Sequence, residues 1–347
     1  MEEWQKDLAA SITDSDELAT RFPLDASDIS EVVGRYPLRI TPHYLGLIET
    51  PGDPIWLQCI PDSRELEDDQ SADPLDEERL SPVPGLIHRY PDRVVLLVSS
   101  ACAVYCRFCM RKRRVGCTGN GAEPADLAEA CAYIAADPSI RDVILSGGDP
   151  LLLPDELLVE ILDKLHRIPH VEIIRIGSRV PVTLPSRITP GLCRQLKRFH
   201  PLYINTHFNH PREVNRASAT ACERLADAGI PLGNQTVLLK GVNDDPDVMR
   251  NLMKHLLAIR VRPYYIHQMD LVRGTSHFRT PVSTGIGIMD ALRGHISGLA
   301  TPHYVIDLPG GKGKVPITPE YCRREGDMLI LKNYRGEEVA YRDCEPD

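Results

Sequence analysis

The chain of 347 residues is 42% hydrophobic and 26% charged, with a formal net charge of −9 at pH 7 and 10 cysteines. Its size fits one large α/β domain or two smaller ones, and the acidic balance argues against a general nucleic-acid binder. No apolar run approaches the roughly 18–20 residues that span a bilayer, and the start, Met-Glu-Glu-Trp-Gln-Lys, lacks the apolar core of a secretory signal, so a cytoplasmic protein with reduced thiols is the expectation.

Residues 1 to about 50 read as short helices, with Asp14 or Asp16 as N-cap ahead of Glu17 and Ser27 or Ser30 ahead of Glu31. From 51 to 85, Pro51, Pro54, Pro61, Pro74, Pro82 and Pro84 break any period around an acidic run at 65–76. That stretch predicts an irregular, exposed connection, so 1–85 as a whole is a helical and irregular extension.

From Arg93 the texture changes. Short apolar runs at 94–98, 142–145, 172–176, 202–206, 233–239, 263–268 and 303–308 predict strands. Helical patterns lie between them near 125–136, 155–167, 190–199, 212–228, 246–258 and 283–298. Strand followed by helix six times over signals a parallel βα barrel or a doubly wound sheet. The strands end in polar or glycine-rich stretches such as Ser146-Gly-Gly-Asp149, Gly177-Ser-Arg179, His207-Phe-Asn-His210 and Met269-Asp270. Such loops converge on one face of a barrel, which favours that architecture over residues 86–310. The remainder, 311–347, carries a glycine-rich lysine loop and a β-hairpin turning near 333–336.

Three stretches carry chemistry. Cys102, Cys106 and Cys109 stand at C-x3-C-x2-C directly after the first barrel strand. Thiols this dense in a reduced chain suit a metal rather than disulfides. Three ligands without a fourth suit a [4Fe–4S] cluster with one open iron; the alternative is zinc completed by a distant histidine, although no second ligand pair is visible. The other cysteines (Cys59, Cys117, Cys131, Cys193, Cys222, Cys322, Cys344) show no ligand spacing and read as small hydrophobes. Ser146-Gly147-Gly148-Asp149-Pro150 is by itself an ordinary turn sequence. The stretch Asp307-Leu-Pro-Gly-Gly-Lys312-Gly-Lys314-Val-Pro316 is either a solvated loop or a glycine-rich support for a lysine that forms a Schiff base.

The cysteine spacing, with Phe108 before the third cysteine, resembles the radical S-adenosylmethionine superfamily. Together with Met110-Arg111-Lys112-Arg113-Arg114, Ser-Gly-Gly-Asp-Pro-Leu151, Asn205-Thr-His-Phe-Asn-His-Pro211, Gly274-Thr-Ser-His-Phe-Arg-Thr-Pro281 and the lysine loop, residues 80–320 resemble the lysine 2,3-aminomutases. The resemblance implies a partial (βα)6 TIM-like barrel of the radical SAM type, an α/β fold with a helical N-terminal extension and a C-terminal hairpin tail. It implies a [4Fe–4S] cluster on Cys102, Cys106 and Cys109, and S-adenosyl-L-methionine near Ser146, Gly147, Gly148, Asp149, His207 and Gln235. It also implies pyridoxal 5′-phosphate on Lys314, with Arg89, Tyr90 and Arg93 around it. Arg111 would grip the substrate carboxylate, and Asp270 and Asp307 the far ammonium of lysine, an acid pair that glutamate-acting members lack.

The implied reaction turns L-lysine into β-lysine through hydrogen abstraction by a 5′-deoxyadenosyl radical and migration of the amino group to the adjacent carbon. Three alternatives stay open: the same chemistry serving β-lysylation of elongation factor P, an aminomutase for another amino acid, and a radical enzyme without pyridoxal phosphate. His267 matches the histidine of the short elongation factor P relatives. Structural zinc is not expected, because Asp245 stands where longer clostridial members have a cysteine, and Cys322 and Cys344 do not reproduce their tail cluster. The expected partners are an amino acid substrate and a reducing electron-donor protein, with room for a homo-oligomer and no membrane or direct nucleic-acid contact.

Overall fold

Nine strands form one curled sheet in chain order: β1 (Leu86–Tyr90), β2 (Arg93–Ser99), β3 (Asp142–Gly147), β4 (Ile173–Gly177), β5 (Leu202–Thr206), β6 (Leu232–Leu238), β7 (Val261–Gln268), β8 (His303–Asp307) and β9 (Lys314–Pro316). The structure, a computed structural model, describes residues 1–67, 69–117 and 124–344, with Asp28 described by its backbone alone. Asp68 of the expected acidic connection and the last three residues of the expected tail lie outside the described residues.

Strands β2 to β8 are all parallel, and six crossovers join them. Their main helices are Leu127–Ala136, Asp155–His166, Pro190–Leu196, Arg216–Asp227, Pro246–Ala258 and Val282–Leu292. Local chemistry sets the starts of four: Asp126, Thr189, Asn215 and Asp245 each accept N–H groups of the first turn. All seven expected barrel strands are present, so the half-barrel reading holds. Two strands went unread, the antiparallel edges β1 and β9, each short and lacking a period of its own.

Alternation along the strands decides what the inside of the curl contains. In β3, Val143 and Leu145 are buried while Asp142, Ile144 and Ser146 are half-buried, and β6 alternates in the same way along its whole length. Period 2 sends one set outward and the other into the curl. The inward set (Ile144, Arg175, Asn205, Gln235, Tyr265, His267) lines a cavity. A closed eight-stranded barrel fills its interior with such side chains. Here the sheet runs from β1 to β9 without the ends pairing, and the interior stays open.

The N-terminal helices Glu3–Ala9, Ser15–Arg21, Ala26–Arg35 and Pro42–Leu45 pack on this unit, and Trp4, Leu18, Ile40 and Tyr44 share its core. Asp14 caps the second as expected. The third starts earlier than expected: Asp25 is its cap, and the Ser27 and Ser30 hydroxyls donate to Asp25 and to the Ser27 carbonyl instead.

The expectation of an exposed connection over 51–85 is overturned. Asp53 caps a helix at Pro54–Cys59, and Gln58, Cys59, Glu65 and Glu77 are all buried. Glu65 accepts Arg107 Nε and Nη2 at 2.9 and 2.6 Å and Lys112 Nζ at 2.5 Å. Glu77 accepts Arg111 Nε at 3.1 Å and Nη2 at 2.8 Å, with Arg113 at 3.5 Å. Glu65, at the head of the acidic run, and Glu77, just past it, are therefore the buried counter-ions of the basic run around the cysteines. Burial pushes the Lys112 ammonium down to about 8 even with Glu65 beside it, because Glu65 is shared with Arg107.

The tail holds the expected hairpin, β11 (Met328–Lys332) and β12 (Glu338–Arg342), plus an unforeseen strand β10 (Cys322–Glu325) that makes a separate three-stranded sheet. The turn closes through Asn333 N–H to the Glu337 carbonyl at 3.0 Å. Among the described residues no helix is long and apolar enough to cross a membrane.

Glu65→Ala strips the shared counter-ion from two cations that are 1% and 5% exposed. It should cost about 3–5 kcal/mol, read as a fall in the urea midpoint. Glu172→Ala, which breaks an exposed pair with Arg141, should leave the midpoint unchanged.

Candidate active site

The C-terminal ends of the parallel strands open into one cavity of about 570 Å³, within the range of small-molecule sites. The cysteine loop follows β2, so Cys102, Cys106 and Cys109 reach this cavity from one wall. Burial pushes the Cys102 thiol well up and that of Cys109 to about 11, and the neighbouring thiols add to both shifts. Such a group is poorly stable as free thiolates and favours a cation. Among the described residues no three such side chains converge on a single ion; a cubane cluster needs only one thiolate per iron.

Next to the loop stand the glycines after β3. A Cβ on Gly148 would lie 2.4 Å from the Ala101 carbonyl, and one on Gly147 would lie 2.3 Å from that of Ser99, with φ +118°. Only glycine lets this loop pack against the chain leading into the cysteines. Asp149 accepts the Ser178 hydroxyl at 2.7 Å and the N–H groups of Arg179, Val180 and Leu151. Its carboxylate is a clamp between the loops after β3 and β4, which the turn-like sequence gave no means to foresee. Ser146 Oγ accepts Arg111 Nη1 at 3.0 Å. His207 packs edge-on to Phe108 with centroids 5.5 Å apart, and burial holds its imidazole well below the usual range. Gln235 lines the same wall.

The lysine loop is a tight hairpin, not a solvated strap. Strands β8 and β9 pair antiparallel with Asp307 opposite Lys314. Between them Gly310, Gly311 and Gly313 take φ of 71°, 69° and 93°, the left-handed region that glycine tolerates best. Lys312 is exposed, whereas Lys314 points into the cavity. Its Nζ donates to Asp307 Oδ1 at 2.8 Å, and its N–H to Tyr90 Oη at 2.9 Å. The Arg93 guanidinium lies 3.9 Å from the centre of the Tyr90 ring.

Asp307 also receives Arg89 at 3.4 Å and His267 Nδ1 at 3.2 Å. Burial opposes its ionisation, but the bonds from His267 and Lys314 hold its carboxyl well below the usual range. Asp270, just past β7, goes the other way: burial and the charge of Asp307 push it up to about 7. Two neighbouring carboxyls with opposed shifts mark a site tuned for charge.

Among the described residues, three buried polar atoms around the cavity have no hydrogen-bond partner: Arg89 Nε, His207 Nε2 and His267 Nε2. Orphaned donors and acceptors in a cavity are places for ligand atoms. The cavity thus unites every residue singled out by sequence. It adds Glu77 and Arg179, which sequence reasoning missed. Glu77 directly follows the acidic run and was read with it, and the polar ending of β4 was the only signal for Arg179.

A profile described as Radical SAM superfamily matches residues 96–253, and one described as Lysine-2,3-aminomutase matches 289–347. The L-lysine 2,3-aminomutase of Clostridium subterminale is 49% identical over 98% of this chain and 84% of its own length. The L-lysine 2,3-aminomutase of Fusobacterium nucleatum is 49% identical over 99% and 82%. The glutamate 2,3-aminomutase of Clostridioides difficile follows at 46% over 98% and 82%. Among solved structures, Streptococcus suis SuiB bound to S-adenosylmethionine aligns with a TM-score of 0.46 at 12% identity, over 63% of this chain and 51% of that one.

Because the folded pKa of Asp270 lies above its unfolded value of 3.8, the native state holds a proton that the unfolded state releases, and stability falls as pH rises from 4 to 7. Without cofactors, Asp270→Asn should therefore stabilise the fold at pH 8 by about 2–4 kcal/mol. It should do almost nothing at pH 4, as thermal melts at the two pH values would show.

Proposed function

This chain belongs to the lysine 2,3-aminomutase family of the radical SAM superfamily, and on that premise we propose that it isomerises L-lysine to β-lysine. The family brings a [4Fe–4S] cluster, S-adenosylmethionine and pyridoxal phosphate. When bound, these supply a carbon-centred radical and the carbonyl that carries the migrating nitrogen.

The residues present fit these groups. Cys102, Cys106 and Cys109 would hold the cluster and leave one iron for S-adenosylmethionine, beside the loop of Ser146 to Asp149, His207 and Gln235. Arg89, Tyr90 and Arg93 would take the phosphate of pyridoxal phosphate through charge-assisted bonds, and Lys314 would carry its carbonyl carbon. Arg111 offers the substrate one edge only. Glu77 occupies the Nε–Nη2 edge, so the Nη1 end, steadied by Ser146, is left for the α-carboxylate.

At the other end the carboxylates act in turn. Asp307 holds the Lys314 ammonium while that amine is free. With Lys314 no longer held as a free ammonium, Asp307 and Asp270 would be available to receive the substrate's side-chain ammonium. An ammonium beside Asp270 draws it back to the charged form. Gripping both ends of a flexible chain limits how far the reacting carbon can stray.

What carries the choice of lysine is the acid pair. Identities of 49% and 46% to lysine and glutamate enzymes do not separate the two substrates. A second carboxylate on the substrate would meet Asp307 ionised and Asp270 already disfavoured by it. The reaction also needs a low-potential one-electron donor.

Anaerobic reconstitution with iron, sulfide, S-adenosylmethionine and pyridoxal phosphate, followed by product analysis with lysine, glutamate and alanine, should give β-lysine alone. Turnover of glutamate in preference to lysine would overturn the proposal. Lys314→Ala should lose the Schiff-base absorbance. Asp270→Ala and Asp307→Ala should each lower kcat/KM for lysine by about 2–3 kcal/mol, chiefly through KM. In the unmutated enzyme, KM for lysine should fall as pH rises through about 7, because Asp270 pairs with the ammonium only when ionised.

A further inference from the structure

The most elaborately held cation in the molecule is Arg179, and it touches a cluster cysteine. Its side chain leaves the loop after β4 and is 8% exposed. Nε donates to the His207 carbonyl at 3.2 Å. Nη2 lies 2.7 Å from Glu213 Oε1, 2.6 Å from Gln58 Oε1 and 2.8 Å from Tyr44 Oη. Glu213, fully buried, is itself fixed by the N–H groups of Asn209 and His210 at 2.5 and 3.0 Å and by the Tyr44 hydroxyl at 2.7 Å. With those two nitrogens anchored, the planar guanidinium has one direction left for Nη1. It points at Cys106 Sγ, 2.7 Å away. The Phe108 ring, 5.2 Å from the guanidinium, closes the site on another side.

Nothing comparable reaches the other two cysteines. Among the described residues neither Cys102 Sγ nor Cys109 Sγ receives a side-chain hydrogen bond, and Arg39 meets only the Cys102 carbonyl. The charged side-chain donor is thus specific to one corner of the cluster, since Cys109 has only the Arg111 backbone N–H beside it. Because Arg179 is paired with Glu213, its full charge is offset, and what it delivers to the sulfur is chiefly a directed hydrogen bond. A hydrogen bond to a cluster thiolate draws electron density from the iron–sulfur bond and favours the reduced state, one of the protein's main controls of potential.

We infer that Arg179 sets the reduction potential of the iron–sulfur cluster by donating Nη1–H to the Cys106 sulfur. The step concerned is uptake of one electron from an external low-potential one-electron reductant, taking the cluster from the 2+ to the 1+ state with no bond broken and no proton transferred. The inference rests on the three cysteines holding that cluster. Tyr44, Gln58 and Glu213 aim the guanidinium, so the N-terminal segment and the loops after β4 and β5 all bear on one sulfur.

The test is a potentiometric titration of the reconstituted full-length protein, followed by electron paramagnetic resonance without S-adenosylmethionine, on wild type, Glu213→Gln, Arg179→Gln and the Arg179→Gln/Glu213→Gln double variant. The double variant avoids stranding a buried carboxylate. It should shift the one-electron reduction equilibrium about tenfold against reduction, a midpoint about 59 mV more negative. Glu213→Gln, which keeps the donor, should shift it less. On the unmutated protein labelled with 15N-arginine, pulsed hyperfine spectroscopy of the reduced cluster should show coupling to a guanidinium nitrogen. A double variant with four irons and the wild-type midpoint overturns the inference, as does absence of the 15N coupling. Wild-type protein unable to hold four irons removes the cysteine assignment, and the inference with it.

Discussion

The cysteine loop is held in place by charge. Glu65 sits between Arg107 and Lys112, and Glu77 between Arg111 and Arg113. All four cations lie within the loop or directly after it, and both acids come from the segment that precedes the barrel. Taking such charges out of water is costly, and buried pairs repay it only when geometry and further hydrogen bonds are good. Here they are: Lys112 also meets the carbonyls of Arg107 and Gly274. Apolar packing alone would leave a loop of this length free to slide. Directional ion pairs allow one seating, which places three sulfurs, and Arg111 two residues later, on the same wall.

The open curl explains why so much polar machinery fits inside one α/β unit. Outward residues of β2 to β8 satisfy the hydrophobic core against the helices, so the inward residues are released from packing duty. They carry charge instead: Arg175 pairs with Asp142 at 2.7 Å, and Asp307 gathers Lys314, Arg89 and His267. A cavity with low dielectric walls magnifies each charge on the next. That is how two carboxyls on adjacent strand ends come to differ so widely in acidity without any difference in residue type.

Period and spacing made the parallel strands, the crossover helices and the cysteine triad legible, because each is a local pattern. Of the two lysines in the loop, the register of β8 with β9 sets Lys314, not Lys312, opposite Asp307. What could not be read were contacts made across the chain. The partner of Glu65 lies some forty residues on and has no periodic signature, so an acidic stretch read as solvated gave no sign that it sends Glu65 into the interior. The edge strands β1 and β9 were equally opaque, since each is short and has no period of its own. Arg179 stood in plain view at a strand end, but its anchors, Tyr44, Gln58 and Glu213, come from three separate places.

The hairpin between β8 and β9 has a consequence for how this molecule can vary. Asp307 and Lys314 face one another through backbone pairing, and the intervening loop turns on glycines whose left-handed angles leave little alternative path. Adding or deleting one residue in that loop would exchange the faces of β9 and deliver Gly313 or Val315, not Lys314, to the acid. The length of the stretch is therefore more tightly constrained than most of its letters. Drift here can proceed by replacement at Leu308 or Lys312, but insertion and deletion are closed to it, and a gap at this point in a related chain would mark the loss of the lysine that faces the acid.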